Sequence, residues 1–124
     1  MQYKRQEGFR LAFPDGLAGT FRILRLEEKN VNSREGDALI HDISPKGAKF
    51  STALDLPLYR GELEVSLHFT LYHEPFDIRG ILKWQQEKMG RQVYGMTFLA
   101  DSYRESELLS ELKEYHKEHR QGDK

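Results

Sequence analysis

Residues 63 to 72, Leu-Glu-Val-Ser-Leu-His-Phe-Thr-Leu-Tyr, alternate between apolar side chains and polar or amphipathic ones without a break. Successive side chains of a β-strand point to opposite faces, so this alternation predicts a strand with one buried and one solvated face. Strands of that kind are typical of antiparallel sheets. Pro75 lies just beyond the run and is expected to end it.

The same two-residue period continues on the next predicted strand, whose apolar positions are Phe76, Ile78, Gly80, Leu82 and Trp84. Residues 87 to 90, Glu-Lys-Met-Gly, predict the tip of a hairpin. A final strand follows, with Tyr94, Met96 and Phe98 on one face. The C-terminal half of the sheet is therefore expected to be a series of hairpins.

Upstream of this region the sequence predicts three further strands. They are expected at residues 20 to 26, in the segment that ends at Asp42, and at residues 48 to 53, while Pro14-Asp15-Gly16 reads as a turn. The total is about six antiparallel strands in a short chain. Because open edges promote aggregation, this number favours a closed or split barrel: a mainly β fold, a six-stranded antiparallel split β-barrel.

The period changes near the C-terminus. Apolar residues recur at helical spacing at Leu108, Leu109, Leu112 and Tyr115, and Ser102 with Glu105 fits a capping box. We therefore expect an amphipathic α-helix over residues 103 to 118 whose apolar face packs on the barrel. The expected organisation is a basic N-terminal arm at 1–12, the barrel at 13–100, and the helix with its tail at 101–124.

Composition limits the possible functions. The 124 residues suit one domain with one core, and the absence of cysteine excludes disulfides and thiolate chemistry. The 19 basic and 20 acidic residues nearly cancel, which argues against a surface that coats nucleic acid. No run approaches the roughly 18 to 20 apolar residues of a membrane span, and no apolar signal core follows the N-terminus. A soluble, cytoplasmic protein is expected.

Residues 42 to 47, Asp-Ile-Ser-Pro-Lys-Gly, predict a sharp turn between two strands. Pro45 fixes φ for the first corner, Gly47 can take a positive φ, and its lack of a Cβ allows close backbone approach. Asp42 and Ser44 offer a carboxylate and a hydroxyl that can pair with the edge of a planar base. This segment can form a shelf for a nucleotide, although an ordinary hairpin turn of the same composition remains the alternative.

The first ten residues carry Lys4, Arg5 and Arg10 against Glu7. Arginines in such an arm can form forked hydrogen bonds with phosphate oxygens or with the O6/N7 edge of guanine. The alternative is a solvated tail.

Taken together, the arm with Arg5 and Arg10, the turn with Asp42, Ser44 and Gly47, and the closing strand and helix resemble the PilZ domain over roughly residues 4 to 112. In that family an Arg-x-x-x-Arg arm and an Asp/Asn-x-Ser-x-x-Gly turn bind the bacterial second messenger cyclic diguanylate (cyclic di-GMP). The resemblance implies that these five residues form the ligand site.

The arm departs from the family pattern. When Arg10 is aligned with the second arginine, Gln6 occupies the place of the first, and Arg5 lies one residue early. Loss of one charged hydrogen bond weakens binding by roughly ten- to over a hundredfold. The sequence therefore supports two functions: an effector that binds cyclic diguanylate, and a degenerate PilZ module that binds only protein. A third, weaker alternative is a single-stranded nucleic-acid binder.

The resemblance implies a binding module and no enzyme, since PilZ domains signal by binding. Their partners belong to bacterial motility or to surface-polysaccharide synthesis, and because barrel and helix account for the chain we expect the signal to leave through a protein partner. A homodimer is also open. No cofactor, metal site or direct membrane insertion is expected.

Residues of the types used in catalysis or base stacking have simpler explanations here. His41 lies next to Asp42 near Ser44, but neighbouring residues of an extended chain point to alternate sides, so His41 is not expected to bridge the other two. Trp84 could stack on a base, but its two-residue register favours packing in the barrel core or at its rim.

Overall fold

The computed structural model describes residues 9–31 and 33–122. Within these residues the chain forms one antiparallel sheet followed by an α-helix. The strands are β1 (Leu11–Leu26), β2 (Lys29–Asn30), β3 (Gly36–Ser44), β4 (Gly47–Thr52), β5 (Leu63–Thr70), β6 (Pro75–Lys88) and β7 (Arg91–Phe98), and the helix is α1 (Glu105–Gly122). Short 3₁₀ turns lie at Leu58–Arg60 and Ala100–Ser102.

The sheet closes on itself. The strand order is β2-β1-β3-β4-β7-β6-β5, and β1 also pairs with β5. Closure is possible because β1 is long: its first part pairs with β3 and its second part, from Thr20, pairs with β5. Over the described residues this confirms a six-stranded antiparallel barrel with a C-terminal helix, to which β2 adds a short seventh strand.

The predicted alternation of β5 is observed. Leu63, Val65, Leu67 and Phe69 are each at most 1 % exposed. They face the barrel core, which the helix covers.

The apolar face of α1 packs against the barrel. Leu108 and Leu112 are fully buried in the common core, and the ring of Tyr115 meets Phe13 edge-on, with 5.2 Å between the ring centroids. No helix in 9–31 and 33–122 combines the length and apolar character that crossing a membrane requires.

A β-bulge in β3 determines which face of the barrel the Asp42 side chain lies on. Ile40 pairs with Phe50 and Asp42 pairs with Lys49, so His41 is an extra residue on β3. Ile40 is fully buried in the core. Without the extra residue Asp42 would follow Ile40 to the inner face, because side chains two apart share a face. The bulge therefore turns Asp42 to the outside of the barrel.

A second bulge lies in β6. Leu82 pairs with Met96 and Trp84 pairs with Gly95, which leaves Lys83 as the extra residue. Leu82 is buried, whereas Trp84 is 43 % exposed. The same change of face therefore brings Trp84 out of the core.

The predicted turn at Pro14-Asp15-Gly16 is wrong. The strand runs through these residues with an irregularity between Ala12 and Leu17, and pairs with β3 on both sides of it. Gly16 absorbs the irregularity with φ +83°, a left-handed conformation that glycine adopts at little cost. The chain kinks there instead of reversing.

The helix begins at Glu105 and extends to Gly122, later at both ends than predicted. The predicted capping box is wrong. Ser102 lies in a 3₁₀ turn, where its Oγ accepts a hydrogen bond from the N–H of Arg79 at 3.1 Å and donates one to the carbonyl of Leu99 at 2.8 Å. Ser102 therefore holds the segment before the helix against β6, and its side chain is not used to cap the helix.

Candidate functional site

The turn between β3 and β4 is held by its own serine. Ser44 pairs with Gly47 across the two corner residues, Pro45 and Lys46. The Ser44 hydroxyl donates to the carbonyl of Gly47 at 3.3 Å and accepts from the N–H of Lys46 at 3.4 Å. Both contacts are long, but together they place the hydroxyl inside the turn, where it fixes the backbone shape.

Gly47 is required by strand packing. It does not use the positive φ that glycine can take, since the glycines with positive φ in the described chain are Gly16, Gly61 and Gly90. A Cβ on Gly47 would lie 2.5 Å from the carbonyl oxygen of Met96 on β7. Such a contact with backbone cannot be relieved by a side-chain rotation. The glycine therefore allows β4 to approach β7 at the edge of the turn.

Asp42 is a nearly buried carboxylate with two cationic neighbours. It is 6 % exposed. Arg10 Nη1 lies 2.8 Å from its Oδ1, and Lys49 Nζ lies 3.6 Å from its Oδ2. The Arg10 side chain is 55 % exposed, so its remaining N–H donors stay available to a ligand. The structure thus brings the arm arginine to the aspartate of the turn; Arg5 lies outside the described residues.

These groups line a groove on the outside of the barrel, which we call the turn groove. It has a volume of about 500 Å³, within the range of roughly 300 to 1,000 Å³ that is usual for small-molecule sites. It crosses four adjacent strands, β3, β4, β7 and β6. Its lining residues are Arg10, Asp42, Ser44, Lys46, Gly47, Ala48, Lys49, Lys83, Trp84, Gly95, Met96 and Thr97.

Trp84 forms one wall of the turn groove. Its indole lies over Gly95, where a Cβ would collide with the indole nitrogen. Of the two expected positions, core or rim, Trp84 takes the rim: the bulge at Lys83 changes its face, and the ring lies inside the groove. An exposed indole beside a glycine floor offers a flat surface on which a base can stack.

The charge of the turn groove is positive. Its described lining carries four cationic side chains, of Arg10, Lys46, Lys49 and Lys83, and one carboxylate, that of Asp42. A groove of this kind attracts anions. With the cations, the carboxylate and the aromatic ring, it can bind a ligand that has phosphates and a planar base.

A sequence comparison decides the family. The profile of the PilZ domain matches residues 5–115, which is most of the chain and includes the whole barrel.

The chain belongs to the PilZ domain family.

No curated protein matches the sequence at the level required for significance. The boundaries of the PilZ match agree with the geometry: the matched region starts at Arg5, contains the Arg10–Asp42 pair and ends at Tyr115, whose ring packs on the barrel.

Sequence reasoning about this PilZ domain missed several lining residues. Lys46 and Lys49 lie within and just after the turn motif, and their nearness to it was a usable signal. Lys83 and Trp84 come from a distant strand, and only the closure of the barrel brings them to the turn. Trp84 was considered as a stacking residue, but its two-residue register favoured a packing role.

His41 makes contacts outside the turn groove. Its Nε2 lies 2.8 Å from Ser51 Oγ, which also accepts from Arg91 Nε at 3.0 Å. Burial, followed by the positive charges of Lys49 and Arg91, lowers the pKa of His41 below its ordinary value of 6.5. Ser51 is 1 % exposed, so this pair is structural in the PilZ barrel, and the ring is engaged with Ser51 instead of bridging Ser44 and Asp42.

Proposed function

We propose that this PilZ domain binds cyclic diguanylate in the turn groove and passes the signal to a protein partner. The observation that carries the proposal is the Arg10–Asp42 pair, which sits over the motif turn in a positively charged groove with Trp84 as a wall. A cyclic dinucleotide presents phosphates and flat bases, and the groove offers a matching group for each.

Asp42 has two roles in this proposal. It holds Arg10 at the groove through the 2.8 Å ion pair, and its second oxygen can accept hydrogen bonds from the N–H groups of a guanine edge. A guanidinium has five N–H donors in a fixed fork, so Arg10 can keep its bond to Asp42 and still bind a phosphate oxygen or the guanine O6/N7 edge. Lys49, 3.6 Å from Asp42, supplies further positive charge.

Trp84 is expected to stack on one base. Base–aromatic stacking contributes about 1 to 3 kcal/mol per base, and the indole already faces the groove over Gly95. Gly47 and Ala48 also line the groove and carry little or no side chain, so a flat ligand has room to lie against the strands. Ser44 contributes by fixing the turn.

The arm is expected to close over the ligand from the other side. Arg5 is proposed as the second arginine, reaching the ligand from one position earlier than the family pattern. Gln6 occupies the regular position. If glutamine at this position binds cyclic diguanylate less well than arginine would, Gln6→Arg should raise the affinity for the nucleotide.

Two contacts connect the turn groove to the start of the helix. The Tyr103 hydroxyl donates to the carbonyl of Pro45 at 2.6 Å, and Lys46 Nζ lies 3.0 Å from Glu105 Oε1 at the start of α1. An anionic ligand that draws Lys46 toward itself weakens the pair with Glu105, and the turn and the helix start then change together. The partner is proposed to belong to bacterial motility or surface-polysaccharide machinery in the cytoplasm.

Isothermal titration with cyclic diguanylate tests the proposal. Wild-type protein should release or absorb heat with a saturating isotherm, and Arg10→Ala should weaken binding by roughly tenfold or more. Arg60→Ala is the matched control, because Arg60 is an exposed arginine that does not line the turn groove. Absence of heat at several hundred micromolar ligand would refute nucleotide binding.

The second candidate is a PilZ module that binds only protein, and the observation that favours it is Gln6 in the arm. The same titration separates the two. If neither wild type nor Gln6→Arg binds cyclic diguanylate, the interaction module is the better description. If only Gln6→Arg binds, the wild-type arm has lost the function while the turn groove has kept its shape.

A further inference from the structure

A second groove lies at the start of the helix, and we call it the helix groove. It runs between the first residues of β6 and the segment from Asp101 to Glu111, with a volume of about 890 Å³. It is larger than the turn groove and opposite in charge. Five acidic side chains line it: Glu74, Asp77, Asp101, Glu107 and Glu111.

The negative charge of the helix groove is only partly neutralised within the described chain. Among the residues that the structure describes, Arg104 is the one basic residue in the lining, and its Nε lies 4.0 Å from Glu107. Asp101 lies 3.5 Å from Arg79. The groove therefore keeps an excess of carboxylates, which would repel a phosphate ligand and attract a cationic one.

Two aromatic residues, Phe76 and Tyr103, line the helix groove. Phe76 is half-buried and stacks on Phe69 with 5.5 Å between ring centroids. Tyr103 packs edge-on against Phe98, with 5.3 Å between centroids. Both rings are held by the core, so they form a fixed surface that can receive an apolar side chain.

The carboxylates do not converge on one point. Among the described residues no group of three His, Cys, Asp or Glu side chains is placed to hold a metal ion. The Oε1 of Glu111 accepts hydrogen bonds from the backbone N–H groups of Tyr72 at 3.1 Å and His73 at 3.4 Å, which directs it to the loop before β6. The negative charge is spread along the groove, so it matches a ligand with several separated positive charges, such as an extended peptide, better than a single metal ion.

We propose that the helix groove docks a basic segment of a protein partner, in which lysines or arginines alternate with apolar residues. The choice of occupant rests on charge complementarity with the carboxylates and on the two aromatic residues of the lining. The inference deepens the proposed function, because it names the surface through which the signal would leave. Tyr103 belongs to both regions: its ring lines the helix groove and its hydroxyl binds the turn at Pro45.

Fluorescence anisotropy with a labelled peptide of alternating arginine and leucine tests this docking. A peptide with glutamate in place of arginine keeps the apolar residues and reverses the charge, so it is the control for charge complementarity. Wild-type protein should bind the basic peptide, more weakly as salt is raised, and should not bind the acidic one. Amide chemical shifts should change in residues 74 to 78 and 101 to 111.

The discriminating variant is Glu74→Gln combined with Glu107→Gln. Both side chains are exposed, so the fold should survive, and exposed ion pairs of ordinary strength predict a loss of roughly three- to thirtyfold in peptide affinity. The matched control is Glu28→Gln with Glu62→Gln, an exposed acidic pair at the far end of β1. It should leave peptide binding unchanged.

Equal binding by wild type and the Glu74/Glu107 variant would overturn the proposal, and so would shifts outside the helix groove or no binding at all. The titration contains no cyclic diguanylate. A negative result therefore concerns the docking surface alone, while failure of nucleotide binding is measured separately in the turn groove.

Discussion

The guanidinium of Arg10 lies 2.8 Å from the carboxylate of Asp42, although 32 residues separate the two in the chain. The register of two strands sets this distance. Ala12, two residues after Arg10, pairs with Asp42 itself, so the arm enters β1 beside the motif turn. The bulge at His41 then turns the carboxylate outward to meet it.

Replacing Asp42 should separate binding from stability. Asp42→Ala removes the group that holds Arg10, so affinity for cyclic diguanylate should fall by roughly tenfold or more. Stability should change by only about 1 kcal/mol, because the two cations left behind, Arg10 and Lys49, are both well exposed and can be solvated. Titration and urea unfolding of one preparation measure both. If Asp42→Ala loses much stability but binds cyclic diguanylate as tightly as wild type, then Asp42 serves the fold and not the ligand site.

Gly47→Ala should act on the barrel. The new Cβ would lie 2.5 Å from the Met96 carbonyl oxygen, and β4 can relieve the contact only by moving away from β7. We expect a loss of about 1 to 3 kcal/mol in the free energy of unfolding. Lys46→Ala, one residue away and exposed, is the control and should cost less than about 1 kcal/mol. If Gly47→Ala is as stable as wild type, β4 and β7 have room for a side chain at this position.

Gly95→Ala should move the tryptophan. A Cβ at this position would collide with the indole of Trp84, so the ring must swing away from the strand into solvent. Because the chain contains one tryptophan, its fluorescence reports the movement directly. We expect a red-shifted emission and weaker binding of cyclic diguanylate. An unchanged emission maximum would mean that the ring does not lie on Gly95.

His41 should make stability depend on pH. Burial, with the nearby charges of Lys49 and Arg91, lowers its pKa in the folded protein below 6.5. As the pH falls through about 6.5, the unfolded chain binds a proton that the folded protein does not yet accept. The contribution of His41 is therefore complete above the unfolded pKa and declines as the pH falls from there toward the folded pKa.

The variant His41→Gln tests this dependence. Urea unfolding at about pH 7.5 and about pH 5.5 should show that wild type loses more stability on acidification than the variant does. If both proteins lose the same amount, the environment of His41 is not responsible.

Periodicity predicted most of the barrel, because residues such as Leu63 to Phe69 have no competing interpretation. It failed where one residue was added to a strand. Ile40 and Ile43 are both buried with two polar residues between them, and that break in alternation was a signal of the bulge. Trp84 gave no such signal, since an apolar side chain fits a core position whether or not a bulge precedes it.

The candidate site was predictable in part for a different reason. Asp42, Ser44 and Gly47 are close in sequence and form a recognisable motif. The lysine at position 83 reaches the same groove only through strand pairing across β6, β7 and β4. A contact of that kind depends on register, which the bulges shift and which local sequence does not determine.

The most direct measurement is an amide and indole N–H chemical-shift titration of the whole protein with cyclic diguanylate. We predict saturating changes at Arg10, in residues 42 to 49, and at Gly95, together with a shift of the Trp84 indole N–H. Residues at the far end of the barrel, such as Glu28, should not move. A spectrum that stays unchanged at saturating nucleotide, or that changes only away from these positions, would contradict a ligand site in the turn groove.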